Sequence, residues 1–166
     1  TFTLDPSDNL TGETTYLARI TTGVTDSAGN ALSSQYDDST GFTTVDSTAP
    51  TVISFTTTAD NQSAVAITDN MTVIFSEKID IATVTTNSDN TSCSGTLHVS
   101  SDNFSSCIQM SSSSPVSSDY ITFILDPSDN LTGGTTYKTR VTTGVTDSAG
   151  NALSSQYDNS TGFTTQ

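Results

Sequence analysis

Sixteen of the chain's eighteen acidic residues are aspartate, and many stand beside asparagine or glycine in short polar runs. Clustered Asp, Asn and backbone carbonyl oxygens are the hard ligands that calcium takes. The candidate sets are Asp126/Asp129/Asn130, Asp147/Asn151 and Asp158, with copies at Asp5/Asp8/Asn9, Asp26/Asn30 and Asp37/Asp38. Asp46, between two stretches of strand-like sequence, is placed to join such a set at a domain junction. No twelve-residue EF-hand loop occurs. The competing chemistry is that of turns, in which Asp and Asn side chains bond nearby backbone. It accounts for Asp147-Ser148-Ala149-Gly150-Asn151 on its own, with Gly150 or Asn151 at positive φ. Turn chemistry is the preferred reading, and a structural calcium ion is the alternative.

Other reactive types are few. His98 is the single histidine and sits between Leu97 and Val99 in a strand pattern. None of the many serines lies in a Gly-x-Ser-x-Gly elbow, so no activated nucleophile is indicated. The sequence points to no catalytic residues. Cys93 and Cys107 are the only cysteines, close together in a Ser/Thr/Asn-rich segment without His/Cys metal spacing. We expect a disulfide rather than two free thiols, which implies an oxidising, extracellular setting. A loop of about 15 residues closed in this way contributes roughly 3 kcal/mol in the chain-entropy account. Asn-x-Ser/Thr occurs at Asn9, Asn61, Asn70, Asn90, Asn103, Asn130 and Asn159. So much Ser and Thr produces several of these by chance.

The elements that must position these residues repeat. Thr1 to Thr44 recur as Thr122 to Thr165 without a gap, at a constant offset of 121 residues. Six positions differ: Thr3/Ile124, Glu13/Gly134, Leu17/Lys138, Ala18/Thr139, Ile20/Val141 and Asp38/Asn159. The period is too long for a solenoid, whose units run roughly 20–50 residues. It suits a string of domains of about 100 residues each. The expected division is the second half of one repeat over 1–44 and a complete repeat over 45–166. The half repeat would lack the strands that cover its apolar face. Exchange between identical copies does not repair this, because each has two late halves and one early half. The expectation is that the natural chain continues upstream.

Within the complete repeat, Thr51–Thr56 is a β-branched strand. A turn is expected at Asp60–Ser63 and a short strand at Ala64–Thr68. Met71 to Ser76 alternates, with Met71, Val73 and Phe75 on one face, the mark of a half-buried strand. Lys78–Val84 holds a helical turn or a crossing. Gly95–Val99 and Cys107–Met110 form an expected strand pair. Strands follow at Tyr120–Leu125, at Thr135–Thr143 with Tyr137 and Val141 in the core, and at Gly162–Thr165. About seven short strands with a turn about every 8–12 residues describe an all-β sandwich.

Low hydrophobic content (32%) with a net charge of −14 is on its face a disorder signature. Strand-spaced apolar residues, five Tyr and seven Phe argue against it. Only Arg19, Lys78, Lys138 and Arg140 are basic, so no basic patch for nucleic acid can be assembled. No signal peptide or membrane span is present, which carries no weight against export if, as expected, the chain is an internal slice.

Four motifs taken in order resemble the bacterial Ig-like repeats of secreted and surface proteins. They are Thr48-Ala49-Pro50-Thr51-Val52, Val73-Ile74-Phe75-Ser76-Glu77-Lys78-Ile79-Asp80, Leu131-Thr132-Gly133-Gly134-Thr135-Thr136-Tyr137, and Val145 to Leu153. The last two recur in 1–44. The resemblance implies an Ig-like β-sandwich in tandem array, non-catalytic, used as a spacer in adhesins or surface filaments. The Cys93–Cys107 segment lies outside the general pattern. The expected function is mechanical: a module stiffening a long surface fibre or adhesin stalk, partnered by adjacent repeats or neighbouring fibre subunits, with no direct membrane insertion. The competing reading is an adhesin domain that binds carbohydrate or protein through the Cys93–Cys107 and Ser111–Ser118 loops.

Overall fold

A computed structural model describes residues 1–57 and 62–166. The turn expected at Asp60–Ser63 and the Asn61 sequon lie in part or wholly outside the described residues. The chain divides into two compact units, Thr1–Thr48 and Ala49–Gln166.

In the first unit the strands are two residues long: β1 (Thr15–Tyr16), β2 (Arg19–Ile20), β3 (Tyr36–Asp37) and β4 (Phe42–Thr43). β1 pairs with β4 and β2 with β3, both antiparallel. Tyr16 stacks on Phe42 with ring centroids 5.8 Å apart. Little is buried: Phe2 is 99% exposed and Phe42 55%.

The second unit is a sandwich of two three-stranded antiparallel sheets. One sheet has the order β5 (Val52–Thr57), β6 (Met71–Phe75), β8 (Thr122–Leu125). The other runs β10 (Tyr157–Thr164), β9 (Thr136–Val141), β7 (Leu97–Ser100). The core lies between them. Alternation puts Met71, Val73 and Phe75 of β6 fully inside, and β9 contributes Tyr137 and Val141. Phe75 meets Phe123 edge-on, and Tyr137 stacks on Phe163 at 5.5 Å. Each such buried aliphatic or aromatic side chain contributes about 1.5–3 kcal/mol relative to exposure. The Tyr137 hydroxyl accepts from the Thr132 N–H at 2.9 Å, tying the loop back to the strand as a tyrosine corner does.

A bulge in β10 between Asn159 and Phe163 turns on Gly162. Its φ is +67°, and an added Cβ would stand 2.0 Å from the Tyr137 carbonyl oxygen, so only glycine fits. Lys78–Val84 contains a 3₁₀ turn at Ile81–Thr83 capped by the Asp80 carboxylate. The expected pairing of Gly95–Val99 with Cys107–Met110 is corrected. β7 pairs with β9 instead (Leu97↔Val141, His98↔Arg140), while the Ile108 N–H makes a single bond to the Val99 carbonyl. β9 presents a long, regular ladder, whereas the disulfide segment curls over the face of β7 and has no extended run to offer.

Candidate functional site

The aspartates lead first to turns. The Asp147 carboxylate accepts the Ala149 and Asn151 backbone N–H groups at 2.8 Å each and the Asn151 side-chain amide at 2.8 Å. Asp26 repeats this with Ala28, Asn30 and the Asn30 amide at 2.8–2.9 Å. Gly29 and Gly150 take the positive φ in both turns. Burial pushes the Asp147 carboxyl up, but the bonds from Asn151, Ala149 and Gly150 outweigh it and hold the group below its ordinary range. Asp158 forms an ion pair with Arg140 at 2.6 Å and accepts from Gln156. Burial raises its carboxyl pKa, and these partners bring it below the usual value. Asp37 and Arg19 repeat the pair at 2.6 Å.

The calcium candidates are therefore distributed as follows. Asp126 accepts from the Ser111 hydroxyl at 3.0 Å, and Asp129 is exposed in the following turn. Asp46 accepts from the Thr48 N–H at 2.8 Å. Among the described residues, Asp126, Asp129 and Asp158 belong to no group of three carboxylate, His or Cys ligands within reach of one another. Asp147 has a neighbour that the sequence did not suggest: a Glu77 carboxylate oxygen lies within 4.8 Å of one of its own. Glu77 stands 70 residues upstream and has no local pattern to mark it.

The second cluster surrounds the disulfide. Cys93 and Cys107 are bonded, with Cα atoms 4.8 Å apart. A ring nitrogen of His98 lies within 4.8 Å of both sulfurs, but the sulfurs bind each other and are not free as ligands. His98 Nε2 faces the Gly95 carbonyl at 3.2 Å, and the buried Nδ1 has no hydrogen-bond partner. Burial is the main cause that lowers the His98 pKa below the ordinary value.

Residues 100–107 fold back over the outer face of β7, so His98 and Ser100 are buried although they point away from the core. The Ser100 hydroxyl accepts the Phe104 N–H at 2.9 Å. Phe104 in turn lies under the Arg140 guanidinium, 3.8 Å from the ring centroid. Fully buried Asn87 joins the two arms of the loop: its amide donates to the Cys107 carbonyl at 2.9 Å and its oxygen accepts the Ser94 N–H. A lone Asn among many carries no sequence signal for such a role.

Two further carboxylates act as caps. Asp102 is held at a pKa of about 2 by the Ser106 backbone and hydroxyl, then by Ser100. Asp119 reaches about 2 through the Thr122 and Ile121 N–H groups. Among the described residues the geometry thus provides capped turns, the Cys93–Cys107 clasp, and an ion pair in each of 1–44 and 122–165. Among the described residues no helix is long and apolar enough to cross a membrane.

Residues 1–44 and 46–165 both match the family model of the bacterial Ig-like domain. A search of curated proteins gives no match.

Proposed function

We propose that this chain, which belongs to the bacterial Ig-like domain family, is a non-catalytic structural module of an extracellular array, extending a surface fibre or adhesin stalk. The observation that carries this reading is the recurrence of 44 residues at an offset of 121 with six changes. Such closeness follows from duplication of a unit used for length rather than for a site that diversifies. The aspartates support it, since Asp26 and Asp147 cap their own turns and Asp37 and Asp158 form ion pairs with arginine. The partners are then adjacent repeats or neighbouring fibre subunits, and the place of work is outside the cell, where the disulfide persists.

Chains of one, two and four complete repeats test the reading by small-angle X-ray scattering. A maximum dimension that grows in proportion to repeat number is expected. A four-repeat chain that collapses to a globule would exclude a spacer. The alternative is a binding module, favoured by the rigid clasp of Cys93, Asn87 and Cys107 outside the general family pattern. Binding of the folded chain to a glycan panel, abolished by changes confined to 100–107, would favour it over the spacer.

A further inference from the structure

The six differences between 1–44 and 122–165 are not scattered at random over the fold. Three of them bear side chains that donate hydrogen bonds from 122–165 to the 49–121 half. The Thr139 hydroxyl donates to the Phe55 carbonyl at 2.9 Å in a buried setting. The Asn159 amide donates to the same oxygen at 3.3 Å. The Lys138 ammonium donates to the Asn103 side-chain oxygen at 3.2 Å. Their counterparts are Ala18, Asp38 and Leu17, none of which can donate a side-chain hydrogen bond to those oxygens.

The Asn159/Asp38 change separates two duties. The Asn159 oxygen caps the bulge by accepting the Gly162 N–H at 3.1 Å, and the Asp38 oxygen does the same for Gly41 at 3.1 Å. Capping is kept, and only the donor is removed. The other three differences place no side-chain donor on the 49–121 half. The Ile124 side chain is 39% exposed, Gly134 takes a φ of +63°, and Val141, fully buried in the core, differs from Ile20 by one methylene.

We propose that the Phe55 carbonyl, aided by Asn103, is a selection point by which the 49–121 half accepts a 122–165 half and refuses the 1–44 half of another copy. If 1–44 took the place of 122–165, the Phe55 oxygen would lose both side-chain donors and face the Asp38 carboxylate. Leaving a buried carbonyl without those donors and drying a carboxylate beside it both oppose docking. Lys138 contributes less, because its contact is exposed. Near-identical neighbours are the sequences most prone to exchange strands, and a repulsive element against the wrong partner is how specificity is secured between look-alikes.

The full chain, refolded from urea with its disulfide intact, is offered labelled synthetic 44-residue peptides at about millimolar concentration, comparable to a tethered segment. Capture of the 122–165 peptide is expected to exceed that of the 1–44 peptide by about a hundredfold. The 1–44 peptide carrying Leu17→Lys, Ala18→Thr and Asp38→Asn should recover most of the difference, and one carrying Thr3→Ile alone should not. Equal capture of all peptides, or recovery by Thr3→Ile, overturns the proposal. Should no peptide be captured, the same contrast is read within the full chain. Thr139→Ala with Asn159→Asp should lower the folding equilibrium constant of 49–166 about a hundredfold. Ile124→Thr, at a position 39% exposed, should lower it under about fivefold, and a loss equal to that of the donor pair would sink the idea.

Discussion

Residues 1–44 and 122–165 are nearly the same sequence in two environments. What stays constant between them is local. The Asp26 and Asp147 turns have the same bonds to within 0.1 Å. The Arg19–Asp37 and Arg140–Asp158 pairs are both 2.6 Å. The Tyr16 and Tyr137 hydroxyls each accept an N–H five residues upstream. What changes is everything that needs a cover. β9 and β10 run for six and eight residues, whereas their counterparts appear only as the two-residue strands β1 to β4. Phe123 and Leu125 are buried in a strand that pairs with β6, while Phe2 and Leu4 are 99% and 90% exposed and lie in no strand. Turn chemistry is carried by neighbours in sequence, and ladder length by the opposite sheet. The comparison separates these two contributions within one chain.

The largest effect expected from it lies at the paired phenylalanines. Phe163→Ala should destabilise the 49–166 unit by about 3–5 kcal/mol, because Phe163 is 1% exposed and stacked on Tyr137. Phe42→Ala should change urea unfolding of that unit by less than about 0.5 kcal/mol. Similar losses at both sites would mean that 1–44 is packed as tightly as its copy.

Next in size is the disulfide, for which 1–44 has no counterpart. Reduction of Cys93–Cys107, 14 residues apart, should cost about 3 kcal/mol and lower the melting midpoint of 49–166. A midpoint unmoved by reduction would remove the clasp from the stability of the fold.

Acid should sharpen the contrast further. Asp102 and Asp119 titrate at about 2 in the folded unit against an ordinary 3.8, and neither has an equivalent in 1–44. A depressed carboxyl stabilises the fold above its ordinary pKa, and that contribution is lost as pH falls through the folded value. The stability of 49–166 should therefore decline between about pH 4 and 2, and Asp119→Asn should flatten the decline in urea titrations across that range. An unaltered slope in the variant would show that this carboxylate does not carry the acid sensitivity.

The smallest expected effect is that of calcium removal. A chelator should leave the melting midpoint of the full chain where it was, since the Asp26 and Asp147 oxygens are occupied by their own turns. A drop of several degrees would instead assign an ion to the Glu77–Asp147 neighbourhood.

Much of this fold was legible where cause and effect are close in sequence. The alternation over Met71–Phe75 placed three buried side chains correctly, and Tyr137 and Val141 were readable as core. The Asp147 turn followed from residue type and Gly150, and the cysteine spacing indicated the disulfide. The partner of β7 was not legible, because proximity favoured Cys107–Met110 whereas the ladder forms with β9 some forty residues on. Nor were Glu77 beside Asp147, Asn87 across the loop arms, or the two donors on the Phe55 carbonyl. Each joins segments that only the closed sandwich brings together, and a single polar residue in a Ser/Thr-rich chain has no periodicity to announce it.

A covering half, not local sequence, makes the long ladders. Amide hydrogen exchange of the intact chain tests it directly, by comparing Tyr137, Thr139 and Val141 with Tyr16, Ala18 and Ile20. The first set should exchange at least about a hundredfold more slowly than the second. Equal protection of the two sets would contradict it.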